Sequence, residues 1–165
     1  MIIQSKRVWV LGQFLEAQLE IENGTIVNVL AYGAKPVDED YGDKRIVPGF
    51  IDIHTHGAYG WDTNDATEDG LRNWMKHIPE EGVTAICPTT ITQTEEVLTK
   101  AVENVAKVVR EGYEGAEILG IHFEGPYLDM KYKGAQPEQC IVKGTIEQFE
   151  RFQNAADGLI KIITM

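Results

Sequence analysis

The chain is poor in the residues that mark several common classes of protein. Its 165 residues include only two cysteines, Cys87 and Cys140, which stand far apart and in no CxxC arrangement. This argues against a disulfide framework or a zinc knuckle and favours buried thiols without a chemical role. No apolar run approaches the roughly 20 residues of a membrane helix, and the N-terminus lacks a signal-peptide pattern. We therefore expect a cytoplasmic protein with no membrane partner.

Positive charge is also scarce. The chain has 15 lysines and arginines and 26 aspartates and glutamates, which gives a formal net charge of -11. Such a surface repels nucleic acid and anionic lipid. We expect no nucleic-acid partner, and an anionic small molecule would need a local positive site.

The first 46 residues have the pattern of β structure. Apolar and polar residues alternate from Leu15 to Ile21, which predicts a strand with one apolar and one solvated face. Asn23-Gly24 accepts the positive φ angles of a type I′ turn, so residues 25–30 are predicted to return as a second strand. The polar residues 35–44 then form a surface connection. We predict a small β-sandwich-like module over residues 1–46.

From residue 46 the pattern alternates between strands and helices, which indicates parallel strands joined by crossover helices. Strands are predicted at residues 50–54, 83–87, 118–122 and 159–163. Capping-box spacing of Thr92 with Glu95, and of Thr145 with Gln148, predicts where the second and third helices begin. The third helix would pack through the stripe Ile146, Phe149 and Phe152.

Four strands and three helices do not close a barrel, which takes roughly 250 residues. The predicted fold class is α/β: residues 47–165 would form the first half of a (β/α)8 barrel, incomplete as given, preceded by the β module. The alternative is a complete four-stranded α/β sandwich with helices on both faces.

The chemistry is concentrated at two strand ends. His54 and His56 project from the same side of the first barrel strand and can close on one metal ion, unless they are satisfied core or loop histidines. His122 and Glu124 share a face at the end of the third strand. Glu124 could complete or bridge the same metal site, or it could be a capping or salt-bridged loop acid.

Three motifs together carry a family resemblance. Residues 48–57 read PGFIDIHTHG, residues 60–66 read GWDTNDA, and residues 122–127 read HFEGPY, followed by Lys133-Gly134-Ala135. The first motif resembles the amidohydrolase superfamily of metal-dependent barrel hydrolases. The third motif, followed by Lys133-Gly134-Ala135, narrows the resemblance to the N-acetylglucosamine-6-phosphate deacetylases. The likeness covers essentially the whole chain but less than half of the family's barrel and β module.

The resemblance implies roles for particular residues. Glu124 would be the principal metal ligand, and His54 and His56 would match the pair that holds a second metal in binuclear members. Asp52 would orient an imidazole through a hydrogen bond. His122 would line the site as a tentative substrate contact.

The segment 131–136 matches one whose backbone touches the sugar, which makes Ala135 and Gln136 candidate substrate-binding residues. The family often has histidine where this chain has Gln136. Glutamine can still offer a hydrogen bond to a hydroxyl or a carbonyl.

The implied reaction is hydrolysis of the acetamide of N-acetylglucosamine 6-phosphate to glucosamine 6-phosphate and acetate. One or two divalent ions (Zn, Fe, Mn or Co) would activate water and polarise the acetyl carbonyl. The family's general-base aspartate, two further histidine ligands and the phosphate-binding residues belong to later strands, so no catalytic base is expected within residues 1–165. We expect a truncated N-terminal portion that is inactive alone and a homodimer at full length.

Two other functions remain open on the sequence. The chain could come from a different amidohydrolase of the dihydroorotase, hydantoinase or adenine deaminase type. It could also be a non-catalytic half-barrel that binds a partner, or itself, through its open strand edge.

Overall fold

The computed structural model describes residues 1–165 and divides into two compact units, Met1–Pro48 and Gly49–Met165. The boundary expected from the sequence, between residues 46 and 47, falls two residues before this division. No helix in the structure combines the length and the apolar character needed to cross a membrane.

The first unit is a five-stranded sheet. Its strands are β1 (Ile2–Val10), β2 (Gln13–Glu22), β3 (Thr25–Ala31), β4 (Glu39–Asp40) and β5 (Arg45–Ile46). Strands β1, β2 and β3 pair antiparallel in chain order, whereas β4 and β5 each pair parallel with β1. Asn23 and Gly24 both have positive φ, 49° and 76°, so the predicted turn forms between β2 and β3.

The period-two prediction for β2 is wrong at Gln18, which the pattern puts on the solvated face and the structure buries. Its amide nitrogen donates to Gln4 Oε1 at 2.9 Å and to the Lys35 carbonyl oxygen at 2.8 Å. Its amide oxygen accepts from the Lys35 backbone nitrogen at 3.0 Å. Because the amide is satisfied at both ends, burying it costs little. Gln18 thereby fixes the loop after β3, while Leu15 is exposed.

The second unit alternates strands with helices. Its elements are β6 (Phe50–Thr55), β7 (Gly57–Ala58), β8 (Trp61–Asp62), α1 (Glu68–His77), β9 (Val83–Pro88), α2 (Glu95–Glu111), β10 (Glu117–Ile118), β11 (Ile121–Glu124), α3 (Ile146–Ala155) and β12 (Ile160–Thr164). Strands β7 and β8 form a short antiparallel hairpin.

The parallel strands follow one another in chain order. Strand β9 lies between β6 and β10, β11 pairs with β12, and a single bridge between Thr89 and His122 connects the two groups. Helix α1 packs on α2 and α2 on α3, over one shared apolar core. This order is that of a β/α barrel, whereas a doubly wound sandwich reverses direction at a switch point. The predicted α/β fold class with a preceding β module is confirmed.

The predicted third strand is wrong in its continuity. It breaks at Leu119-Gly120 into β10, which pairs with β9, and β11, which pairs with β12. A Cβ atom at Gly120 would lie 2.4 Å from Lys161 Cγ and 2.8 Å from the Leu159 carbonyl oxygen. Glycine is therefore required beside the Leu159 carbonyl, at the point where the chain changes partner.

The capping-box spacing predicts the start of α3 correctly and the start of α2 incorrectly. The Thr145 hydroxyl accepts from the Gln148 backbone nitrogen at 3.1 Å, as the spacing suggests. Helix α2, however, is capped by Thr94 and not by Thr92. The Thr92 backbone nitrogen donates instead to Gln136 Oε1, and its side chain is buried. Tertiary contacts therefore hold Thr92 before the helix begins.

Helix α3 offers a test of the core. Phe152 is fully buried, with its ring centroid 4.9 Å from that of Phe123, whereas Ile146 of the predicted stripe is 75% exposed. Replacing Phe152 with Ala should lower the free energy of unfolding by about 3–5 kcal/mol, because it removes a large buried ring. Replacing Ile146 with Ala should change it by less than about 0.5 kcal/mol. Urea unfolding followed by circular dichroism measures both, and equal losses would contradict this packing.

Candidate metal centre

Three side chains meet at the carboxyl ends of β6 and β11. His54 lies in β6, His56 follows that strand, and Glu124 is the last residue of β11. Glu124 Oε2 is 3.0 Å from His54 Nε2 and 3.2 Å from His56 Nε2. One ligand atom from each residue lies within 4.8 Å of the other two. The structure thus brings together the three residues that the sequence suggests as ligands.

The spacing of these atoms suits a divalent ion. Ligand atoms about 2.0–2.1 Å from a tetrahedral ion are about 3.3 Å apart, close to the observed separations. Two imidazole nitrogens and a carboxylate oxygen form a set that Zn, Fe, Mn and Co accept. Both imidazoles are partly open to solvent, while the carboxylate is largely covered. The donor set therefore fits a metal ion that small molecules can reach.

A bulge in β6 aims the first histidine. Asp52 pairs with Ile86 and Thr55 pairs with Pro88. Between these two pairs, β6 therefore has one residue more than β9. Bulges of this kind redirect a side chain at the end of a strand. The expected bond from Asp52 to an imidazole is not observed, because its carboxylate accepts from the His54 backbone nitrogen at 3.0 Å. Asp52 therefore stabilises the backbone of the bulge.

Two threonines that follow β9 hold the ligand strands. The Thr89 carbonyl oxygen is 3.2 Å from His56 Nδ1 and accepts its hydrogen, which leaves Nε2 facing Glu124. The Thr89 hydroxyl accepts from the Thr55 backbone nitrogen, and the Thr90 hydroxyl accepts from that of Glu124. Their place at the end of the strand between the two ligand strands is the signal that could have shown this role.

The remaining candidates lie outside the ligand cluster. His122 is 5% exposed, and both of its ring nitrogens have hydrogen-bond partners within the protein. Gln136 is 6% exposed and is bonded to Thr92, whereas Ala135 is exposed. Substrate contact by these three residues stays a prediction.

Neither cysteine forms part of the cluster. Both are free thiols, and Cys87 is buried beneath the end of β9. Burial raises the pKa of the Cys87 thiol, so the free thiol stays protonated at neutral pH.

Comparison with known proteins now identifies the family. Residues 45–165 match the model of the "Amidohydrolase family", which is well over half of the chain. The chain belongs to the amidohydrolase family. This result agrees with the strand order and with the His-His-Glu cluster.

Individual relatives are more specific. The chain is 44% identical to N-acetylglucosamine-6-phosphate deacetylase of Bacillus subtilis over 126 residues, which are 74% of this chain and 32% of that protein. The N-acetyl-D-glucosamine-6-phosphate deacetylase of Mycobacterium smegmatis superposes with a TM-score of 0.89 at 28% identity, over 100% of this chain and 47% of that one. A mutant of the M. smegmatis enzyme, in complex with N-acetyl-D-glucosamine-6-phosphate, superposes with a TM-score of 0.85 at 28% identity, over 100% of this chain and 43% of that one. The chain therefore spans less than half the length of these relatives.

Removing any one ligand should weaken metal binding. Loss of an outer partner of a metal ligand costs about 10–100-fold in affinity, so replacing His54, His56 or Glu124 with Ala should cost at least as much. Titration of the metal-free protein with Zn²⁺ in a calorimeter measures this. His77→Ala is the matched control, since His77 lies at the end of α1 against Glu80 and should leave affinity unchanged. Unchanged Zn²⁺ affinity in all three ligand variants would contradict the site.

Proposed function

We propose that this chain supplies the His-His-Glu metal site of an N-acetylglucosamine-6-phosphate deacetylase, which releases acetate and glucosamine 6-phosphate. The observation that carries the proposal is the meeting of His54, His56 and Glu124 in a chain whose relatives bear that name. The same relatives do not favour the dihydroorotase, hydantoinase or adenine deaminase alternatives. The fold of the M. smegmatis enzyme likewise does not favour a purely structural half-barrel.

The three ligands set the position of the reaction. A bound divalent ion supplies Lewis-acid polarisation of an acyl oxygen and lowers the pKa of water. The ring nitrogens of His54 and His56 and the Glu124 carboxylate would hold that ion at the sheet edge. The bond from His56 Nδ1 to Thr89 fixes which nitrogen is presented. The identity of the metal and the choice between one and two ions remain part of the proposal.

Ala135 and Gln136 are proposed to contact the amino sugar. No protein group bonds the backbone N–H or carbonyl of exposed Ala135, so both are free for a ligand. The Gln136 backbone is already paired with Lys133, and its side-chain oxygen accepts from Thr92. The Gln136 amide nitrogen is therefore the group left to donate to a sugar hydroxyl or carbonyl.

Other parts of the proposal come from the family resemblance. The general base, the remaining ligands and the phosphate-binding residues are proposed to lie outside residues 1–165. By themselves, these 165 residues should bind metal without measurable turnover. The cytoplasmic location and the homodimer stay predictions.

An acetate-release assay tests the function. The assay uses a polypeptide that carries this sequence and has the full length of its relatives, loaded with Zn²⁺. It should release acetate from N-acetylglucosamine 6-phosphate and leave dihydroorotate, hydantoin and adenine unchanged. Glu124→Ala should abolish release, because the site loses its carboxylate, and His77→Ala should retain it. Turnover of a cyclic amide or of adenine without acetate release would overturn the assignment.

Variants at Gln136 separate anchoring from substrate contact. Gln136→Glu keeps an acceptor for the Thr92 N–H but loses the donor, so KM should rise by roughly 2- to 12-fold for one lost hydrogen bond. Gln136→Ala loses both and should raise KM further. Steady-state kinetics on the same polypeptide measures this, with thermal unfolding as the control for folding. An unchanged KM in both variants would contradict a substrate contact.

A further inference from the structure

His122 is a buried residue that lies beside the metal-ligand cluster but outside it. It lies in β11 two residues before Glu124, and it is 5% exposed. Its Nδ1 is 2.7 Å from the Ile53 carbonyl oxygen in β6, and its Nε2 is 2.7 Å from Thr164 Oγ1 in β12. One imidazole therefore connects three strands at the level of the ligands.

The Ile53 carbonyl is a special acceptor because it lies in the β6 bulge. The register between β6 and β9 shifts between Asp52 and Thr55, so Ile53 and His54 together lie opposite Cys87 and neither has a ladder partner of its own. A carbonyl can only accept, so the hydrogen in this bond belongs to His122 Nδ1. The bond gives the Ile53 carbonyl a side-chain partner at the bulge, where the register of the strands shifts.

The same imidazole also packs on the first ligand. The ring centroids of His122 and His54 are 4.5 Å apart with an angle of 60° between the planes. Two contacts therefore hold the peptide group between Ile53 and His54: Asp52 accepts from its N–H, and His122 donates to its carbonyl oxygen. The His54 ring also packs against the ring of His122. With both nitrogens occupied, His122 has none left for a metal ion.

We propose that His122 is a positioning residue that fixes the β6 bulge through Ile53 and thereby aims His54 at the metal. This inference rests on the metal site of the proposed function, but it does not depend on which substrate that site takes. It is separate from the sequence-based prediction of a direct substrate contact by His122.

Three variants separate the parts of this role. In His122→Asn the amide nitrogen takes the place of Nδ1 and keeps the bond to Ile53. In His122→Gln the amide reaches the place of Nε2 and keeps only the link to Thr164. Thr164→Val removes that link and leaves the bond to Ile53 intact. His77→Asn is the surface control.

The measurements are the affinity of each metal-free protein for Co²⁺ and the visible absorption spectrum of the complex. His122→Gln should lose about 10–100-fold in Co²⁺ affinity, the usual effect of removing an outer partner, with an altered spectrum. His122→Asn and Thr164→Val should stay within about threefold of the unmodified protein and keep its spectrum. A purely structural role would lower the melting temperature of His122→Gln without moving the spectrum, and that result overturns the proposal.

Two further outcomes also decide the question. If His122→Asn loses as much affinity as His122→Gln, the Ile53 bond is not the operative one and the proposal fails. If the unmodified protein binds Co²⁺ and the variants behave as expected while the full-length polypeptide releases no acetate, the deacetylase assignment fails and the positioning role stands.

Discussion

The site depends on a constraint of parallel strands, which all end at the same edge of a sheet. Strands β6, β9 and β11 end there together, so residues 70 positions apart in the chain bring nitrogen and carboxylate oxygen to 3.0 Å. No local interaction along the chain could do this. The helices contribute indirectly, since their packing over one core keeps the strands adjacent. The chemistry is therefore a consequence of topology first and of the ligand residues second.

The residues around the ligands mainly form hydrogen bonds to the backbone of the ligand strands. Asp52 and Thr90 each accept from the backbone nitrogen of a ligand, and Thr89 orients an imidazole through its carbonyl oxygen. His122 pairs with the carbonyl of the residue before His54. Such contacts limit how far each ligand can move, and a metal site needs this because affinity falls when ligands must be reorganised. The residues that hold this site are therefore mostly small and polar.

The sequence predicted the elements better than it predicted their contacts. Turn chemistry at Asn23-Gly24 and the cap at Thr145 act over a few residues, and both were predicted correctly. The break at Gly120 depends on the approach of Lys161, 41 residues later, so no local pattern shows it. The prediction that Gln18 is solvated is wrong for the same reason, because its partners are backbone and side-chain groups from another strand and a loop.

The sequence by itself determined the class of site and the family, because His54, His56 and Glu124 carry their ligand chemistry wherever they lie. It also determined the alternation of strands and helices, since hydrophobic periodicity is local. Only the tertiary structure decided that the three side chains converge and that Asp52 holds backbone. The physical reason is that bulge geometry and hydrogen-bond partners depend on neighbouring strands, whose distance in space is not encoded in the spacing along the chain.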